Sequence, residues 1–278
     1  IIKKYESYLT YWVSEKDEGQ ASAINKGLKK CNGDIFNWIN SDDFFEPGAF
    51  FKIANEFQNT DIDILVACER HCYSNGKDIL RSGSTIKSKL EESLFIGHID
   101  QPSTFWRLDV IKEIGFLNEG LNYLMDAELW MRYLLNKGHN RIKRIDAVVA
   151  NFRLHESSKT SLYGNKFKSE RWGLRFNLLR DVSGTKELQS ICKKLSIKPV
   201  TVKWVSNKIL DKNILIEIFS DELFKEFYNR KQYNESKFAL IILIKLRFKY
   251  SIIYIKYLIK LFLIPKSILN MLRSINNE

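Results

Sequence analysis

Asp42 and Asp43, side by side after the apolar run Ile35-Phe36-Asn37-Trp38-Ile39 and the linking pair Asn40-Ser41, are the first residues whose types and spacing could do chemistry. Adjacent carboxylates repel one another and cost stability unless a cation or a ligand hydroxyl uses them. The competing reading is local, an acidic turn that caps the helix opened by Pro47. A second acidic group, Asp126-Ala127-Glu128, heads Leu129-Trp130-Met131-Arg132. A carboxylate there could take a proton, or simply complement the positive end of a helix. His155 closes Phe152-Arg153-Leu154 ahead of a Ser/Lys-rich loop, where an isolated histidine is either a ligand or a satisfied structural side chain.

The elements that must position these groups follow from patterning. Leu9 to Ser14 is β-prone, and Gly19 to Lys30 puts Ala21, Ile24 and Leu28 on one helical face. Asn32-Gly33-Asp34 is turn chemistry, Ile35 to Ile39 a strand, and Pro47-Gly48 the start of a helix through Phe57. Ile62 to Cys72 reads as a third strand, Pro102 to Arg107 as extended, Leu108 to Ile114 and Asp126 to Lys137 as helices, and Ile142 to Leu154 as extended again. Strands alternating with helices predict an α/β layer with a largely parallel sheet, whose ligands gather at the carboxyl ends of the strands. Long basic helical segments take over from about residue 166, which predicts a domain over 1–165 and a helical region over 166–278.

Charge divides along the same line. The 278 residues carry 44 Lys+Arg against 33 Asp+Glu, a net charge of +11. Residues 1–150 hold 19 basic and 22 acidic side chains, whereas 151–278 hold 25 and 11. A nucleic-acid groove would concentrate positive charge where the ligand lies, so this distribution argues against nucleic acid as a partner. With 45% hydrophobic and 28% charged residues the chain is globular, neither disordered nor a multispanning membrane protein. Cys31, Cys68, Cys72 and Cys192 lack the spacing of a zinc site and read as reduced thiols. No signal peptide opens the chain, which makes the cytoplasm the expected compartment. In Phe238 to Ile264, Lys245, Lys249, Lys256 and Lys260 share one face of a continuous helix, the pattern of a basic amphipathic helix on an anionic membrane surface. Two packed helices broken near Tyr250-Ser251 would give the same spacing.

Taken in order, Ser14 to Gly27, Gly33 to Asp43, Gln101 to Arg107, Asp126 to Arg132 and Phe152 to Thr160 resemble the family 2 glycosyltransferases of bacterial polysaccharide synthesis. The resemblance covers roughly residues 1–165. It implies a GT-A fold, Rossmann-like with a mixed, mostly parallel sheet, and transfer of a sugar with inversion from a nucleotide-sugar donor to a glycan or lipid-linked acceptor. On it Asp43 takes the Mg²⁺ or Mn²⁺ that bridges the donor diphosphate, and Asp42 contacts ribose or sugar. Asp126 is the general base, although the family's preceding acid is Met125 here. Gln20 and Asn25 approach the nucleotide, and His155 sits near metal or diphosphate. The family also has a strand, a helix and another strand before the Leu9 run, which hold the nucleotide base. Their absence here implies a sheet short of central strands, weak donor binding or, as the alternative, a non-catalytic GT-A-like binding module. An active enzyme of this kind would work at the inner face of the cell membrane, bound to it peripherally.

Overall fold

The computed structural model describes residues 1–183, 197–246 and 261–265. Cys192 and the lysine stripe at 249, 256 and 260 lie outside them. The strands are β1 (Ile35–Phe36), β2 (Phe44–Phe45), β3 (Ile64–Tyr73), β4 (Asp78–Arg81), β5 (Thr104–Arg107) and β6 (Ile142–Leu154), in one sheet ordered β1-β5-β3-β6-β2 with β4 on β3. Its centre is the parallel pair β3 and β6, in register from Ile64 opposite Ile142 to Tyr73 opposite Leu154. Antiparallel pairings flank it on both sides. The α/β layer is present and its core pairing is parallel, but the other four pairings are antiparallel, so the sheet is the mixed one that the resemblance implies rather than the largely parallel one of the alternating pattern.

β3 is central because Ile64, Leu65, Val66 and Ala67 are apolar on both faces. Alternation sends Ile64 and Val66 to one side and Leu65 and Ala67 to the other. The smaller face is covered by α2 (Ala49–Glu56), whose Ala49 and Ile53 pack with Phe105 and Val149. The larger face takes α1 (Gln20–Lys30), α4 (Leu108–Ile114) and α5 (Met125–Lys137). Here α3 (Leu90–Phe95) lies against one of the C-terminal helices, that of Lys212–Asn229. Those helices are the short α6 (Lys159–Leu162), α7 (Gly164–Ser183), α8 (Lys212–Asn229) and α9 (Tyr233–Leu246). Leu174, Leu178, Leu215 and Phe219 from α7 and α8 belong to the same apolar cluster as Leu28, Trp106 and Trp130. One core thus crosses the boundary expected near residue 165.

Two local expectations change, and one stretch without an assigned element gains two. Residues 9–14 form no ladder, and Leu9, Tyr11 and Val13 stay exposed. β-propensity becomes a strand only where another strand pairs with it, and none does among the described residues. β1 stops at Phe36 because Asn37 turns its amide onto the Thr104 carbonyl at 2.8 Å. The β4 hairpin and α3 fill the stretch that lacks clear periodicity.

Candidate active site

β3 and β6 run in parallel, and beyond their carboxyl halves lies a cavity of about 460 Å³. Its walls carry Gln20 from the start of α1, Asp42 from the β1–β2 loop, Asp126 from the first turn of α5, His155 from the end of β6 and Lys159 from the start of α6. Four stretches of the chain meet here because their strands and helices place their termini at the same end of the layer.

The two adjacent aspartates separate. Asp42 faces the cavity, with Oδ2 3.0 Å from His155 Nε2, while His155 Nδ1 lies 2.8 Å from Ser157 Oγ. Asp43 is not part of the lining. Its Oδ2 accepts from Asn40 Nδ2 at 3.0 Å and its Oδ1 from the Arg153 N–H at 2.8 Å, so it stitches the loop to β6. Burial raises its pKa despite those donors. Neither aspartate caps α2, which begins at Ala49 behind Gly48, a residue with φ of 75°.

A hydrogen-bonded chain continues from that loop. Asn40 Oδ1 accepts from Gln20 Nε2 at 3.0 Å, and Gln20 Oε1 accepts from Lys159 Nζ at 3.2 Å. Lys159 also donates to the Asn122 carbonyl and lies 5.1 Å from the centre of the Tyr123 ring. Both oxygens are neutral, and among the described residues no carboxylate forms an ion pair with this ammonium. Burial lowers its pKa, against the opposing pull of Glu170 and Asp126. It is a desolvated cation on the cavity wall, a feature that the sequence pattern did not single out.

Asp126 stands on the first turn of α5, its Oδ1 accepting the Ala127 N–H at 2.8 Å. Burial pushes its carboxyl from the ordinary 3.8 up to about 6, only partly offset by that N–H and by Arg171. The turn is held from outside by Glu170 of α7, whose oxygens accept the N–H groups of Asn122, Tyr123 and Leu124 at 3.0, 2.8 and 2.6 Å. Glu128 has a different job. It is buried and pairs in bidentate fashion with Arg132, whose remaining donors hold the carbonyls of Ile114, Gly115 and Phe116.

Asn25 is elsewhere. It is 3% exposed, and its amide bonds the Leu117 carbonyl, the Leu117 N–H and Glu119, tying α1 to the loop before α5. Nothing of it is left for a nucleotide, so it supports the site from behind. Of the segment Gln101 to Arg107, Gln101 and Pro102 reach the cavity, Trp106 is core, and Arg107 holds the carbonyls of Phe57, Asn59 and Ile62.

For a divalent cation the residues here make only a partial donor set. Mg²⁺ commonly takes one or two protein carboxylates and completes its shell with water and substrate phosphate. Asp42 and His155 offer such a partial set, and among the described residues no three acidic, histidine or cysteine side chains converge to make a full one.

Against known proteins, residues 1–113 match the family described as Glycosyl transferase family 2. Over that stretch the chain is similar to this family. The chain is 26% identical over 182 residues to an uncharacterized glycosyltransferase of Rickettsia typhi, which covers 60% of this chain and 54% of that protein. It therefore spans about half the length of that relative. A further match is to the chondroitin synthase of Escherichia coli, 26% identical over 132 residues, or 44% of this chain and 18% of the synthase. Among solved structures, S. aureus TarS 1-349 in complex with UDP-GlcNAc aligns with a TM-score of 0.52 at 17% identity, over 88% of this chain and 67% of that one. That likeness is one of fold.

Proposed function

We propose that this protein transfers a sugar, with inversion, from a nucleotide-sugar donor to an acceptor hydroxyl in the synthesis of a cell-surface glycan. The observation that carries the reading is the cavity itself, lined by a carboxylate raised to about 6, by a lysine that forms no ion pair among the described residues, and by a carboxylate–imidazole pair. The leaving group of such a transfer is a nucleoside diphosphate, whose negative charge grows as the sugar departs. Lys159 supplies a desolvated positive charge for it, worth more in this setting than in water. Gln20 positions Lys159 through its amide oxygen. A Mg²⁺ or Mn²⁺ ion held by Asp42 and His155 would add charge neutralisation on the diphosphate. This exchanges the parts expected of Asp42 and Asp43, with Asp43 keeping the loop in place. Asp126 takes the proton from the attacking hydroxyl, a task for a base whose pKa lies near working pH. The names of the relatives support the reaction class, and TarS with its UDP-GlcNAc supports a uridine diphosphate sugar as the first donor to try.

Among the described residues no helix is long and apolar enough to cross a membrane. Contact with an anionic membrane surface through the basic C-terminal segment remains part of the proposal.

Calorimetric titration with UDP, with and without Mn²⁺, tests the donor half. Loss of a charge-assisted hydrogen bond costs about 1.5–3 kcal/mol, so Lys159→Met should weaken UDP binding roughly tenfold or more. Lys159→Arg should restore most of it. Equal affinity in the parent and in Lys159→Met would remove the diphosphate from this wall.

A further inference from the structure

Across the same cavity from Lys159 stands a pair that the transfer described above does not use. His71 and Glu69 lie two apart on β3 and so project from the same face of the sheet. His71 Nε2 is 2.7 Å from Glu69 Oε1, and Ser103 Oγ donates to Glu69 Oε2 at 3.1 Å. The Glu69 side chain is only 2% exposed, and burial raises its pKa, with the charge of Asp100 adding to the effect. A buried carboxylate behind one imidazole nitrogen fixes the ring's orientation and leaves the other nitrogen to face outward. Among the described residues His71 Nδ1 has no hydrogen bond, and the residue lines the cavity. Its ring lies 5.2 Å from that of Phe152, its partner in register on β6, which lines the cavity too.

The charge here is opposite to that on the Lys159 wall. Glu69 and Asp100 are both acidic, and Asp100 Oδ2 is buried without a hydrogen bond, 3.5 Å from His98 Nε2. Arg70, between His71 and Glu69, points to the other face of the sheet, toward Glu46 at 3.7 Å. A phosphate placed beside Glu69 and Asp100 would meet their carboxylates, while Arg153, which also lines the cavity, holds its guanidinium over the Phe44 ring. A neutral group rich in hydroxyls would find an oriented imidazole nitrogen to bond and an aromatic ring to cover its C–H face, a pairing that suits sugars and polyols.

We propose that His71, oriented by Glu69 and flanked by Phe152, is the contact through which the cavity takes a hydroxyl of an uncharged sugar or polyol, the acceptor end of the site. The assignment rests on the glycosyltransferase reading and narrows its acceptor, placing a glycan or polyol unit against the site rather than the phosphate of a lipid carrier. It makes His71 a binding and specificity residue, with Asp126 retaining the proton transfer.

The chain has four histidines, so their imidazole resonances can be assigned by replacing each in turn with Gln. The full chain is titrated separately with UDP, with inorganic pyrophosphate, and with a panel of glucose, N-acetylglucosamine, glycerol and ribitol. The expected result is that UDP and pyrophosphate move the His155 signals and leave His71 in place. At least one sugar or polyol then moves His71, saturably, and leaves His155. If UDP moves neither histidine, the glycosyltransferase reading fails, and the acceptor assignment with it. If UDP moves His155 as expected but either anion also moves His71, or no sugar or polyol does, the acceptor assignment alone is overturned.

Discussion

Asp126 carries a cost that its proposed task explains. Its carboxyl is pushed up to about 6 from 3.8, so the folded chain binds a proton that the unfolded chain has released. Stability from this group is therefore lost as pH climbs from below 3.8 through 6, and the full cost of charging it is present above that. About two pH units correspond to roughly 3 kcal/mol. Asn has nothing to ionise. Asp126→Asn should raise the melting temperature by a few degrees at about pH 8 and by little at about pH 4. An equal shift at both pH values, or a loss at the higher one, would show that the carboxylate is not held at a desolvation cost. Asp42 and Asp43 show the limit of reading residues by type. As a string they are equivalent, and only the turn between β1 and β2 decides that one faces the cavity while the other accepts the Arg153 amide.

At the scale of elements, the turn that presents Asp126 depends on a residue some forty positions away. Glu170 accepts three successive backbone N–H groups ahead of α5, and no other partner for them is found among the described residues. Removing such an acceptor leaves donors unsatisfied at about 1–3 kcal/mol. Glu170→Ala should destabilise the protein by that order and lower turnover more than it lowers UDP affinity, because the base moves while the Asp42 and His155 wall stays. Unchanged turnover with a normal melting temperature would remove Glu170 from this role. The elements themselves were largely legible. β3, α4, α5 and β6 follow from apolar runs and helical spacing, and β6 coincides with the expected Ile142 to Leu154. Glu170 was not legible, since its sequence neighbours Ser169 and Arg171 mark nothing but a polar helix. Nor was Asn25's retreat from the site. Its position on α1 suits a ligand contact, and the loop at Leu117 that claims its amide comes from a remote part of the chain. The 9–14 run fails for the complementary reason, because pairing is a property of two strands and the sequence displays one at a time.

For the whole molecule, composition suggests two parts and packing makes one. Leu174, Leu178 and Leu179 of α7 and Leu215, Phe219 and Leu223 of α8 are at most 1% exposed, in the same cluster as Trp106 and Leu134 beside the sheet. A fragment ending at residue 165 would uncover that face. The full chain should unfold in a single calorimetric transition, with equal calorimetric and van't Hoff enthalpies, and two resolved transitions would show independent domains. The shared core also explains why the charge contrast is compatible with one site: α7, on the basic side of the boundary, holds the turn that carries Asp126. The account as a whole stands on transfer chemistry in this cavity. Its most direct test is the pH dependence of nucleoside diphosphate release from a nucleotide sugar, UDP-GlcNAc first, by the parent protein and by Asp126→Asn. The parent rate should rise through about pH 6 as Asp126 ionises, and Asp126→Asn should fall by about 10² or more while binding UDP as tightly as the parent. Turnover by Asp126→Asn at the parent's rate, with the same pH profile, would contradict it.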